Sequence, residues 1–578
     1  MRKLTVYLAA LLLFLLPLKF GGLAVMPEYG GFFPEFFIDW LFVTWHPHAL
    51  AYAGTLLLAA ALLTTKKKAG QKSLLFTLFW CVLPSLAVLP GIINGESIIA
   101  LGEISLLTGM ATVTAAVMLL TADAPERAAL FISALIAGGA ATACYGWYQH
   151  FVTLDEMRRF AAEQEAAGIP LSEGMQLKLT DPRIFSTLAS SNVLASLLLI
   201  MLTCGMYAAE YWSRFITPPR TTRIVFRMIF AVLFISVLVL TRSRSAVFCP
   251  VAAGLIALFS TPKIKVRWKI AGLTAGILIM TAGVVFALHH GRGIASMGER
   301  ADYWRTCAIL CRTYPLAGAG WGGFFRTHMQ IKLSDVDESA RDPHNVVAAF
   351  ASQCGIVSGL VMLAVLLLPL ILLWRSRFEK NWCGMVFWCG ILFTVHSLID
   401  CDWQIPALPA IMGALYAIAI ALLPEEKFPA YAPYAAGTVS ILLMLTGCWS
   451  SWRYIAGDHA LSALQDKVNP ATGEMAQKLA ACPVEYFVAQ AEKYRPDSAV
   501  TQMYAGDWYL RNNDLISAEK AFQRVLELDP VRPGAYARLA KIALLRGDRK
   551  KAEELMLKAH ELFPKSRHYT LEKLYGDK

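Results

Sequence analysis

Thirteen long apolar windows, joined by short polar loops, decide what this chain can fold into. They lie near 4–26, 47–64, 74–94, 98–121, 128–149, 186–209, 224–241, 245–261, 270–289, 345–373, 383–399, 405–423 and 435–453. Each is about as long as a helix needs to cross the hydrocarbon core of a bilayer. In lipid the backbone must satisfy its own hydrogen bonds, so such windows predict helices. Composition agrees: of 578 residues 56% are hydrophobic and 16% charged, where a soluble globular protein carries about 25% charged. The first window follows Arg2-Lys3 and runs from Leu4 to Met26. It is too long for the apolar region of a signal peptide, no clear cleavage site follows, and it predicts a retained first helix.

Orientation follows from the basic residues. With Arg2 and Lys3 inside, the clusters at 66–72, 214–227, 263–269 and 375–380 all fall inside too. The loops at 27–46, 150–185, 290–343 and 400–404 fall outside, and the loop at 27–46 holds Glu28, Glu35 and Asp39 with no Lys or Arg. An odd number of spans puts the C-terminal residues outside as well. The formal net charge of +11 is spread over these loops, which argues against nucleic acid as a partner. Arg242 and Arg244 break the pattern, falling on the outer side between two spans, where charge is costly unless it is used. The cysteines lie mostly inside apolar runs and read as small buried hydrophobes. Cys307 and Cys311, one helical turn apart, lack the further ligands a zinc site needs.

The segment from 456 to 578 has a period. Pro496, Pro530 and Pro564 are 34 residues apart; Gly506, Tyr509, Ala518 and Phe522 precede Pro530, and Leu539, Ala552 and Ala559 precede Pro564. This resembles the tetratricopeptide repeat, in which small residues let paired helices approach and aromatics fill the groove between them. A third repeat near 465–498 is degenerate. Such repeats mostly bind partners, and a stabilising cap is the plainer alternative.

Candidate chemistry concentrates in the outer loop 290–343 and beside it. Arg300 and Arg305 suit a phosphate because the guanidinium fork binds two oxygens. Gly318, Gly320, Gly322 and Gly323 permit a tight turn whose amides can cradle phosphate, although an ordinary turn is the plainer reading. His344 opens an apolar helix at the membrane surface and is a candidate general base near neutral pH. Several arginines, a glycine turn and one histidine on the same face suggest a pyrophosphate-linked substrate and a hydroxyl acceptor.

The tract from about Thr180 to Asp402 resembles the O-antigen ligase and polymerase superfamily of bacterial membrane glycosyltransferases. The likeness rests on Asp181-Pro-Arg183 with Ser191-Asn192, on Arg242-Ser-Arg244-Ser-Ala, and on Glu299-Arg300 with Trp304-Arg305. It continues through Pro315-Leu, Gly318-x-Gly320-x-Gly322-x-Phe324, His344-Asn345 with Gly355 and Gly359, and Asp400. The first 180 residues offer only matching hydropathy. The resemblance implies a GT-C-type fold, which with the apolar windows gives an all-α, polytopic transmembrane bundle of about 12–13 spans over residues 1–455 with an outer loop at 290–343; the 34-residue period separately predicts an α-solenoid of tetratricopeptide type over 456–578.

The resemblance further implies a multi-pass enzyme of the bacterial inner membrane, with the C-terminal part in the periplasm, that takes a glycan from undecaprenyl diphosphate. His344 is then the base. Arg183, Arg244 and Arg305 are first choices for the diphosphate, with Arg242 and Arg300 next, and Asn192, Gly318, Gly320, Asn345 and Asp400 support. On a helix, residues two apart point about 200° from each other, so Arg242 and Arg244 share a cavity only if that end is unwound. The scheme needs no metal or other cofactor. Asp400-Cys-Asp402 could be offered as an Asp-x-Asp metal site, but a carboxylate orienting a neighbouring arginine is plainer, and His396, one turn before Asp400, could pair with it.

Beyond the common ligases this chain adds a further apolar run and the repeats, so the acceptor stays open between lipid A–core, a protein hydroxyl and another glycan. The enzyme is then an O-antigen ligase, a protein O-oligosaccharyltransferase or a polymerase. The repeats are candidates to bind a protein partner. A transporter or scaffold with a repeat domain is the alternative of another class; intramembrane charge is sparse for it, with Lys19 and Arg227 near span ends. An inactive anchor is disfavoured by the arginines and His344 occurring together.

Overall fold

The computed structural model describes residues 1–22, 37–66, 70–94, 97–166, 182–289, 294–332, 340–379, 381–424, 432–468, 482–496, 498–563 and 569–576. All regular elements among them are helices. The main ones are α1 (Arg2–Lys19), α2 (Leu50–Thr64), α3 (Ser97–Asp123), α4 (Arg127–Tyr148), α5 (Ser191–Trp212), α6 (Pro219–Leu240), α7 (Ser245–Ser260) and α8 (Val266–His289). There follow α9 (Ile294–Thr313), α10 (Gly323–Ile331), α11 (Val346–Cys354), α12 (Ile356–Leu373), α13 (Trp382–Ser397), α14 (Ala407–Ala421) and α15 (Ala432–Val468). The C-terminal helices are α16 (Val484–Tyr494), α17 (Ala499–Arg511), α18 (Leu515–Leu528), α19 (Pro533–Leu545) and α20 (Arg549–Leu562).

The bundle is built around α14, which is buried from Ala407 to Ile420. Helix α3 packs on it and on α2. Its Thr108, Thr112 and Thr114 hydroxyls donate to carbonyls four residues back, so polar side chains are satisfied without leaving the helix. Gly54 lets α2 meet α3 closely, since a Cβ there would lie 2.2 Å from Thr112 Oγ1, the small-residue device of helices packed in lipid. At the periphery α6 turns Ile224, Val225, Met228, Val232 and Val239 outward, all exposed. An apolar surface of that extent suits a lipid-facing side of the bundle.

Seven helical stretches among the described residues are long and apolar enough to cross a membrane, namely Pro47–Thr64, Gln71–Ile92, Ile99–Asp123, Arg127–Glu163, Ser191–Phe215, Pro219–Leu240 and Ile356–Ser376. Three further apolar helices are shorter, Ser245–Ser260, Trp382–Ser397 and Ala407–Ala421. The expected windows at 245–261, 270–289, 383–399, 405–423 and 435–453 also fall on helices, namely α7, α8, α13, α14 and α15. The window at 345–373 is two helices, parted at Gly355 with φ +96°. The first window gives α1, which holds Arg2, Lys3 and Lys19 among its 18 residues. The division drawn between 455 and 456 falls inside α15, a continuous helix of 37 residues.

The basic loops gather at one end of the bundle. Asp123 pairs with Arg2 and Arg127 and accepts from the Lys66 amide; Arg377 donates to the Ser260 carbonyl at 3.2 Å and Lys72 to that of Pro424 at 2.7 Å. Chain direction then carries the ends of α1 and α6 and the starts of α5 and α7 to the opposite end. There Lys19 is buried, its ammonium donating to the carbonyls of Trp40 and Val43.

The C-terminal helices pair as α17 with α18 and α19 with α20. Gly506 faces Phe522, whose ring would lie 2.6 Å from a Cβ at 506, and Ala518, Ala540, Ala552 and Ala559 are fully buried. Pro564 and the residues 469–481 of the degenerate repeat lie outside the described residues. These helices meet the loop at the end opposite the basic clusters: the Lys332 ammonium stands 4.6 Å from the Phe563 ring centroid, and Arg341 has Asp529 and Arg532 as charged neighbours.

Candidate functional site

The sequence makes breaks, not helix, where the candidate residues lie. Between α6 and α7 the chain leaves helical geometry at Thr241–Arg244, and Arg242 takes φ +49°. Before α11, Pro343 interrupts the backbone and His344 takes φ +55°. A non-glycine residue held in the left-handed region costs about 1–3 kcal/mol and persists only where its surroundings fix it. For His344 they do: its amide donates to Asp342 Oδ1 at 2.7 Å, and Gln404 Nε2 donates to Asp342 Oδ2 at 3.1 Å. Asn345 caps α11 by accepting from the Ala348 amide at 3.0 Å. The Tyr303 ring of α9 stacks on the imidazole, with centroids 5.9 Å apart and 21° between planes.

Asp400 is the hub. It is buried, at 2% exposure, in the loop after α13. Oδ2 accepts from Asn192 Nδ2 at 2.7 Å and Arg300 Nη2 at 3.0 Å. Oδ1 accepts from the Cys401 amide at 2.9 Å and lies 3.5 Å from His344 Nδ1, an ion-pair distance without a hydrogen bond. Burial opposes a charged carboxylate, but His344, His396 and Arg300 outweigh it and hold Asp400 below the ordinary carboxylate range. For His344, burial depresses the imidazolium; the carboxylates of Asp400 and Asp342 outweigh it against Arg300, and the net shift is upward. Burial raises Asp342, with His344 pulling the other way. Glu103, Trp321, Asp342, Asp400 and Gln404 line a small cavity of about 10 Å³ beside this cluster, room for about one water.

The arginines divide. Arg244 loses proton affinity through partial desolvation and through the nearby cations of Arg300 and Arg183, so three guanidinium groups from three segments lie in one electrostatic neighbourhood. Arg242 and Arg244 are both exposed on the unwound turn, so the two are not forced onto opposite faces of a helix. Arg305 is held elsewhere. Five residues past Arg300 it is turned about 140° around α9, its Nε donates to Asp302 Oδ1 at 2.8 Å, and Nη2 donates to the Ile331 carbonyl. Asp302 also faces His328 Nδ1, at 3.6 Å, and both side chains are fully buried.

The glycine turn is spent on the protein. The amides of Ala319 and Gly320 donate to the carbonyls of Ser352 and Gln353 at 2.9 and 3.0 Å, that of Trp321 to Gly91 at 3.2 Å, and that of Gly322 to Gln353 Oε1 at 2.8 Å. A Cβ on Gly318, where φ is +69°, would meet the Gln353 carbonyl carbon at 2.2 Å. The turn therefore locks the chain against the break between α11 and α12, and its amides are not free to cradle an anion.

His344, Asp400 and Cys401 bring one potential metal-ligand atom each within 4.8 Å of one another. The Arg300 guanidinium already supplies a cation to Asp400, and three donors beside it make a poor fit for a further one. The partner of His396 is Asp402, not Asp400: Nδ1 and Oδ1 are 2.7 Å apart. The sequence assigned no role to Asp342, Tyr303 and Glu103, nor to Ser243 and Ser245, although both serines stand in the Arg242–Ala246 motif. Asp342 had a signal, two residues before the histidine across a proline; the others look like ordinary loop or span residues until the chain is folded.

No curated protein matches this chain. Residues 229–364, from within α6 to within α12 and including Arg242, Arg244, Arg300, Arg305, Gly318, Gly320, His344 and Asn345, match the family model described as O-Antigen ligase, and this match supports placing the chain with the O-antigen ligase superfamily.

Proposed function

We propose that this protein is a membrane glycosyltransferase that moves a glycan from undecaprenyl diphosphate to an acceptor hydroxyl at the periplasmic face of a bacterial inner membrane. The observation that carries the reading is the convergence of His344 and Arg300 on the buried Asp400, at 3.5 and 3.0 Å, beside Arg244 and Arg183. Asp400 turns the Nδ1 side of the imidazole toward itself, leaving Nε2 for the acceptor. Nε2 takes the hydroxyl proton as the acceptor oxygen attacks the anomeric carbon, and the bond from that carbon to the diphosphate breaks. Arg183, Arg244 and Arg300, with Arg242, receive the charge that grows on the leaving diphosphate; prepositioned donors of this kind each contribute about 3–4 kcal/mol. Arg305, tied to Asp302 and to the Ile331 carbonyl, braces α9, the helix that carries Arg300.

The gathering of basic loops at the far end of the bundle supports a periplasmic site. The helical pairs after α15 support a solenoid of tetratricopeptide type beside the active loop, suited to holding an acceptor or an assembly partner. The acceptor is lipid A–core, a protein hydroxyl or a growing glycan. His344→Ala in proteoliposomes carrying a polyprenyl-diphosphate glycan should leave an inserted, folded protein without product; normal product removes His344 from the mechanism. A deletion strain compared for lipopolysaccharide banding and for periplasmic glycoproteins names the acceptor class by which of the two is lost.

A further inference from the structure

Behind Asp400 lies a buried pair that the reaction scheme leaves unused. The side chains of His396 and Asp402 are 0% exposed. From His396 Nε2 a line of short contacts runs to the site: Ser245 Oγ at 2.8 Å, then Ser243 Oγ at 2.7 Å, then Asn192 Oδ1 at 2.8 Å, and Asn192 Nδ2 to Asp400 Oδ2 at 2.7 Å. The direction of each bond is forced. A carboxylate only accepts, so Asn192 turns its amide to Asp400 and its oxygen to Ser243. Ser243 spends its one proton on that oxygen and must accept from Ser245. Ser245 has then given its own and must accept from His396, which fixes a proton on Nε2; the 2.7 Å contact between Nδ1 and Asp402 Oδ1 holds a second proton, shared between ring and carboxyl. One orientation satisfies every group, ending at the anionic hub.

Two links of this line, Ser243 and Ser245, flank Arg244, and Ser243 follows the left-handed Arg242. The turn that presents both arginines is thus pinned from behind. A buried His–Asp pair is costly and packing alone does not require one; among the described residues its side-chain hydrogen bond outside its own loop and helix is to Ser245.

We propose that His396, held by Asp402, is a positioning residue for the transfer, fixing the Arg242–Arg244 turn in register with Asp400 through Ser245, Ser243 and Asn192. The proposal rests on the transferase reading. The test uses full-length protein in proteoliposomes with an undecaprenyl-diphosphate glycan, comparing wild type with Ser245→Ala, His396→Phe and His396→Gln. Breaking the line should raise KM for the donor about tenfold, the equivalent of one charge-assisted hydrogen bond, with a smaller change in kcat per folded molecule. The glutamine amide keeps a donor near the place of Nε2, so His396→Gln should recover most of the loss. Should His396→Phe fail to fold, Ser245→Ala, which removes a single oxygen, reports the same break. Unchanged donor KM in folded Ser245→Ala, or a glutamine variant as impaired as the phenylalanine one, overturns the positioning role while leaving the transferase reading intact. A wild type that neither transfers the glycan nor binds undecaprenyl diphosphate overturns both.

Discussion

Replacing Asp400 by asparagine keeps the shape of the hub and removes its charge. His344 Nδ1 stands 3.5 Å from Asp400 Oδ1; at an effective dielectric of 20, unit charges at that distance attract by about 5 kcal/mol before desolvation is counted. That attraction lifts the imidazolium above the ordinary histidine value of about 6.5. With His344 as the proposed base, the wild type is competent only above that range, and the acid limb of the pH–rate profile is expected above about 6.5. In Asp400→Asn burial and the Arg300 charge still depress His344 while Asp342 alone is left to raise it, so the limb moves to lower pH. The plateau falls by about 10²-fold or more, because the imidazole loses its orienting partner. Transfer from a polyprenyl-diphosphate glycan, measured from pH 5 to 9 in proteoliposomes, reads both effects. An acid limb that stays where it was would show that the group titrating in the profile is not His344. Stability carries a matching sign. The raised His344 stabilises the fold below about 6.5 and loses this as pH rises through its folded value; the depressed Asp400 stabilises above about 3.9 and loses this as pH falls toward its own. Wild-type thermal stability should thus peak between these limits, and Asp400→Asn should flatten both slopes.

Three other outcomes are expected. Arg300→Ala leaves Asp400 short of a buried counter-charge and should destabilise the protein by about 3 kcal/mol and weaken donor binding, whereas Arg305→Ala should leave donor affinity within about threefold; titration with undecaprenyl diphosphate and thermal melts separate the two. Gly355→Ala would place a Cβ 2.0 Å from the Leu316 carbonyl oxygen at φ +96°, so folded yield after detergent extraction should collapse, while Gly298→Ala, with nothing within 4 Å, should be silent. Single cysteines at Lys265 and Trp304 should label from opposite sides of the membrane with an impermeant maleimide; labelling from one side contradicts the topology.

The membrane character and the helical class are legible because apolar windows and basic loops are one-dimensional signals. Helix breaks are less so. The window at 345–373 is apolar throughout, and the division at Gly355 depends on how closely Leu316 approaches, which no window shows. Site residues behave likewise. His344 and Asp400 stand out as polar groups beside apolar runs, but which arginine joins them depends on angles around α9. Arg300 faces Asp400 and Arg305 faces Asp302, although their sequence contexts look alike. The glycine cluster was visible, but its amides bind the α11–α12 break, a fact held in contacts some 30 residues away.

By itself the sequence determined that this chain is helical and lies in a membrane, because transfer free energy and backbone satisfaction in lipid act on local composition. It also named the residue types able to handle a diphosphate and a hydroxyl. Only the tertiary structure decided which of them meet. A buried carboxylate ranks its donors by distance and direction, and those are set where the ends of α5, α6, α9 and α13 converge. The same convergence joined His396 to Asp400 through two serines and an asparagine, because hydrogen-bond order exists only between side chains already brought within 3 Å.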